Sequence, residues 1–116
     1  MIEFLNPERL AEKLMAEEFA LVAAINHYWE ARLRYEKAMD DLKDAQNAAI
    51  RDGLQGRNAE AREAELAHKC RTEEDEVRQA RNALRVAEKD LEIAKLRYRT
   101  LENLVRLISG GVGGEP

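Results

Sequence analysis

Prolines are nearly absent from this 116-residue sequence: Pro7 and Pro116 are the two, so no proline interrupts the residues between them. Glycine is confined to 53, 56, 110, 111, 113 and 114. That placement leaves no glycine-rich phosphate loop and no nucleophile elbow. The single cysteine, Cys70, excludes an intrachain disulfide framework and is compatible with a reducing cytoplasm. Aromatics amount to 5% and charged residues to 36%, a balance foreign to a compact globule and typical of long helices. Long apolar runs are also missing. The longest uncharged stretch before the C-terminal glycines, Phe19 to Trp29, is too short to span a bilayer. The opening residues lack the basic flank and apolar core of a signal peptide, so the expectation is a soluble cytoplasmic protein.

What is present is helix-forming residue types and uneven charge. The net charge is −4, but residues 77–108 hold eight Lys/Arg against four Asp/Glu, a net of +4, whereas residues 1–76 hold eleven against eighteen, a net of −7. Asn6-Pro7 reads as an N-cap and first-turn proline, with Leu5 and Leu10 placed as a hydrophobic staple. After the capping segment 1–6, a first helix is expected over about 7–51, a turn over about 52–57 in "RDGLQGRN", and a second helix over about 58–109, capped by Asn58. Residues 110–116 read as a flexible tail. Thr72 with Asp75 imitates a capping box, which leaves open whether the second helix runs on through Thr72 or kinks or restarts there.

The second helix repeats Val77, Leu84, Leu91, Tyr98 and Val105 at a, with Ala80, Ala87, Ala94, Leu101 and Ile108 at d. The first places Leu14, Leu21, Tyr28, Tyr35, Leu42 and Ala49 at a, with Ala24, Ala31, Ala38 and Ala45 at d. Two such seams joined by a short turn predict an all-α, long antiparallel two-helix coiled-coil hairpin with an alanine-rich seam. A turn centred on Leu54 pairs residues whose numbers total about 108: Ala38 with Cys70, Ala31 with Val77, Tyr28 with Ala80. Small then meets large in nearly every layer, which lets the helix axes approach closely. The exceptions are Glu17 against Leu91, Tyr35 against Glu73 and Ala45 against Glu63. Tyr35 and Glu73 read as a polar register pin.

One seam does not use all the apolar residues. Met15, Phe19, Val22, Ile25, Trp29 and Leu33 lie outside it on the first helix, and Val86, Ile93, Leu96, Leu104 and Leu107 on the second. Helices apolar on several sides are buried on several sides. This surface predicts a homo-oligomer, a dimer first, forming a four-helix bundle or larger assembly at the base, or else docking a partner protein. The acids around it argue against membrane contact.

Residues that could carry chemistry are sparse. Glu65-x-x-His68 has the spacing of carboxylate-bridged di-iron bundles and resembles the motif of the two-helix encapsulated ferritins, which implies a ferritin-like metal-binding assembly as a minor alternative. Both residues fall away from the seam, and Glu36 lies on the opposite side. His27 is too far along the chain to complete a site with His68 and Cys70. Accordingly, no metal, cofactor or catalytic residue is assigned, and an enzyme is not expected. Arg78, Arg81, Arg85, Lys95, Arg99 and Arg106 form a basic track on the second helix, on the side of Trp29 and Arg32, the combination that single-stranded DNA binding requires. Glu88, Glu92 and Glu102 interrupt it and supply ordinary helix-surface ion pairs.

"NAEAREAELA" entering a long helix, followed by "ALRVAEKDLEIAKLRYRTLENLVRLI", resembles small helical-hairpin proteins of bacteriophage and prophage genomes, through Asn58, Ala59, Arg62, Ala64 and the heptad run. The resemblance implies an accessory role in DNA recombination or replication and transfers no catalytic residue. The secreted WXG-type hairpins match less well, because the turn Gly53-Leu54-Gln55-Gly56 lacks tryptophan. The leading expectation is a non-enzymatic interaction or assembly protein, with single-stranded DNA contact as the alternative.

Overall fold

The computed structural model describes the backbone of residues 6–113 and the side chains of residues 6–110. It is all-α, with α1 over Pro7–Asp52, α2 over Ala59–Lys69 and α3 over Arg71–Gly113, and no strand among the described residues. The start of α1 follows from Asn6, whose side-chain oxygen accepts from the Glu8 N–H at 2.9 Å and the Arg9 N–H at 3.4 Å while its carbonyl accepts from Leu10. Leu10 is buried; its expected staple partner, Leu5, lies outside the described residues. At the other end of α1, Gly53 adopts φ +95 and its N–H returns to the Ile50 carbonyl.

The helix expected over 58–109 is two helices. Asn58 caps α2 as read, accepting from the Ala61 N–H at 2.8 Å, but the helix ends at Lys69 and Cys70 takes φ −104, ψ 17. α3 restarts at Arg71, one residue before Thr72. The Glu74 N–H still bonds the Cys70 carbonyl, so the break is a local offset in the ladder. α3 also passes through Gly110 to Gly113, where the sequence suggests a stop. No left-handed cap forms at Gly110, and glycine near an exposed helix end costs only its propensity, about 1 kcal/mol.

The chain divides into a terminal unit, formed by residues up to Tyr28 with those from Ala87 on, and a turn unit, Trp29–Val86. Within the turn unit, α1 and α3 run antiparallel around a core of Ala38, Val77 and Ala80, with Tyr35 and Leu42 packed against it. Ala80 is wholly enclosed. Within the terminal unit, Leu10, Ala87 and Ala94 are the buried residues among those described, and Pro7 and Leu10 border one cleft with Val105 and Ile108.

These contacts correct the register. Ala38 clusters with Val77 and Ala80 rather than with Cys70, and neither Ala31 nor Tyr28 belongs to that cluster. Ala38/Val77 totals 115, one heptad beyond the expected 108, and the cleft that Leu10 shares with Val105 is compatible with the same total. A slip of seven residues still sets an a position against a d position, so the small-against-large alternation survives it. At the turn, the Gln55 and Gly56 N–H groups donate to Glu65, so the first turns of α2 flank the loop, which moves the centre of the hairpin towards higher residue numbers. Tyr35 accordingly packs on the Val77/Ala80 cluster, with the Arg81 guanidinium 5.9 Å from its ring centre, instead of pinning Glu73.

Candidate interaction site

The turn unit is held by charge as well as by alanine packing. Arg34 on α1 makes a bidentate bridge to Glu76 on α3, with Nη2–Oε1 at 2.8 Å and Nε–Oε2 at 3.1 Å. The hydrogen bond from Arg34 holds the Glu76 carboxyl below its ordinary range and raises the guanidinium in return. Lys37 is raised by its hydrogen bond to Asp41 one turn away.

Glu65, one half of the metal-like pair, is occupied by the turn. Its Oε1 accepts from the Gln55 N–H at 2.7 Å and the Gly56 N–H at 3.0 Å, and its other oxygen meets Lys69 at 3.4 Å. Partial burial pushes the Glu65 carboxyl up, but the two amides and Lys69 outweigh it and hold it below the usual carboxylate value. Gly56 is required beside this clamp, because a Cβ there would lie 2.6 Å from the Arg62 backbone nitrogen and 2.8 Å from the Ala61 carbonyl carbon. No group of three or more His, Cys, Asp or Glu side chains able to hold a metal occurs among the described residues. Cys70 is a buried free thiol, raised by burial and by Glu73 and Glu74. The sequence did carry a signal for the clamp: an acid at the second turn of a helix that follows a glycine loop.

The basic residues are largely engaged. Arg78 pairs with Asp75, Lys95 with Glu92 and Arg106 with Glu102. Arg32 bonds Glu36 at 3.3 Å and lies over the Trp29 ring, 5.2 Å from its centre. Arg85 and Arg99 have no ion pair among the described residues.

The apolar candidates outside the seam remain exposed: Met15, Phe19, Val22 and Ile25 on α1, with Ile93, Leu96 and Leu107 on α3, in the terminal unit, and Trp29, Leu33 and Val86 in the turn unit. Leu104 is half-buried. Those of the terminal unit do not make one surface. In the terminal unit, Met15, Phe19 and Val22 form a row on α1 with Glu18, whereas Ile93, Leu96 and Leu104 border the other flank, where α1 contributes Ala16, Ala20 and Ala23. That second flank is a shallow groove floored by small side chains, edged by Lys13, Glu17, His27, Asp90 and Arg97. The heptad labels separate the two rows: Met15 and Val22 share the b position, while Ala16, Ala23 and Ile93 share c.

Compared with protein-family models, curated proteins and solved structures, the chain matches none of them. No helix among the described residues is long and apolar enough to cross a membrane.

Proposed function

We propose that this protein is a non-enzymatic interaction and assembly protein of the cytoplasm that self-associates through the apolar flanks of its terminal unit. One observation carries the reading. Among the described residues, five of the eight buried apolar ones are alanines, while Met15, Phe19, Leu96 and Leu107 each stand more than half exposed. Such a core stabilises one chain weakly, and side chains of that size on both flanks gain most when covered by a second apolar surface. The buried, unpaired Cys70 suits a reducing compartment. Association that stabilises the fold makes thermal unfolding depend on concentration. The melting midpoint should therefore rise with protein concentration, and a constant midpoint across a hundredfold range, roughly 2.7 kcal/mol in mass action, would remove the reading.

A second reading, an accessory of the phage type contacting single-stranded DNA, draws on Arg85 and the half-exposed Trp29 in the turn unit and, separately, on Arg99 in the terminal unit. Its signature is affinity that falls steeply with salt and falls again in Arg85→Glu/Arg99→Glu. Binding insensitive to both would remove it.

A further inference from the structure

The α3 edge of the groove flank in the terminal unit is charged in an order that reads the same from a second copy turned end for end, while Glu17 and His27 stand on the α1 edge. Asp90, Ile93 and Arg97 all border it, and the spacings of three and four residues put them on one stripe of α3. Asp90 and Arg97 are two turns apart, about 10.5 Å along the axis. Both are exposed, and neither has an intrachain ion pair among the described residues. Facing them across the groove are Ala20, Ala23 and Ala24 of α1.

From this pattern we infer that the self-association proposed above is isologous and runs through this groove, with the two-fold axis passing near Ile93. The inference rests on the self-association reading and specifies its surface and its symmetry. A two-fold at Ile93 brings a second α3 across in the opposite direction. Asp90 of each copy then meets the partner's Arg97, and the two Ile93 side chains meet at the axis. Leu96 of each copy settles over the alanines of the other's α1. A two-fold interface must be self-complementary, and an acid and a base flanking an apolar centre satisfy that condition. The alanine floor admits the ridge of large α3 side chains, as ridge-into-groove helix packing requires. The row of Met15, Phe19 and Val22 offers no counterpart, since the charged residue bordering it, Glu18, would face a like charge across a two-fold through that row.

The test uses the full chain in two experiments. Ile93→Cys should form an intermolecular disulfide under mild oxidation, because two cysteines at a two-fold axis approach each other, whereas Phe19→Cys should not. Wild type, with Cys70 enclosed, sets the background. In parallel, Asp90→Arg and Arg97→Asp should each weaken dimerisation by roughly tenfold or more through like-charge contacts. The double exchange should recover affinity close to wild type, because it inverts both members of each intermolecular pair. A dimer that crosslinks at position 19 and not at 93 overturns the groove while leaving self-association standing. Single reversals that weaken the dimer without rescue by the double exchange overturn the Asp90–Arg97 pairing. A chain monomeric at every concentration removes both this inference and the reading beneath it. Far-UV circular dichroism identifies any charge variant that fails to fold, and the crosslinking result then decides.

Discussion

Ala80→Leu tests the close approach of α1 and α3 in the turn unit. Ala80 has no exposed surface and packs in the cluster of Ala38 and Val77, against which Tyr35 and Leu42 rest. Leucine adds three carbons. If space existed, burying them would stabilise by about 2.4 kcal/mol at roughly 0.8 per methylene. The cluster offers no such space, so the helices must separate or Tyr35 must leave its rotamer, and overpacking of this kind costs about 1–3 kcal/mol. In a small helical domain that corresponds to a melting temperature lower by about 4–20 °C. The assay is thermal unfolding by circular dichroism at one fixed protein concentration, with Ala64→Leu, at an exposed position of α2, as the control expected to stay within about 0.5 kcal/mol. A midpoint for Ala80→Leu equal to or above wild type would refute the argument that alanine sets the interhelical distance there.

Three further outcomes follow from the same geometry. Ala38→Cys/Val77→Cys in a Cys70→Ala background should form an intrachain disulfide, while Ala38→Cys with the native Cys70 should not; the reverse pattern would restore the register one heptad away. Glu65 and Glu76 both have depressed carboxyl values, so the stability they contribute is present above the unfolded value near 4.3 and is lost as pH falls through the lower folded values. Glu65→Gln should therefore flatten the acid limb of the stability profile below about pH 4 and speed amide exchange at Gln55 and Gly56, and an unchanged limb would show that the clamp does not act in solution. Gly53→Ala meets open space and bears only the left-handed backbone cost of about 1–2 kcal/mol. Gly56→Ala drives a Cβ into backbone and should cost more, so equal losses in chemical denaturation would contradict the turn geometry.

Periodicity made much of this architecture legible. The capping signals at Asn6 and Asn58 and the left-handed Gly53 are local, and local chemistry decides them. Apolar spacing also identified much of the seam, since Ala38, Ala49, Val77, Ala80, Ala87 and Ala94 are buried. Register was not legible, for a definite reason: a heptad pattern is unchanged by a seven-residue slip. Its choice depends on how many residues the loop and the Glu65 clamp take up before α1 and the returning helices pair. The break at Cys70 was hidden as well, because no glycine or proline marks it and Thr72 points only to its neighbourhood. The apolar surplus was visible as composition, yet its division into two flanks depended on the facing alanines, Ala16, Ala20 and Ala23, which look unremarkable in sequence. The basic track was legible together with its pairing to Glu92 and Glu102, while the engagement of Arg78 by Asp75 and of Arg32 and Arg81 by two aromatic rings required the side-chain geometry.

The claim on which the functional account depends is that the terminal unit is completed by a second copy of the same chain. Native mass spectrometry of the unmodified protein across a dilution series into the low micromolar range tests it directly. The account predicts a dimer, or a larger closed assembly built from dimers, that dissociates on dilution and is lost first in the Asp90→Arg variant. A monomer at every concentration would contradict it.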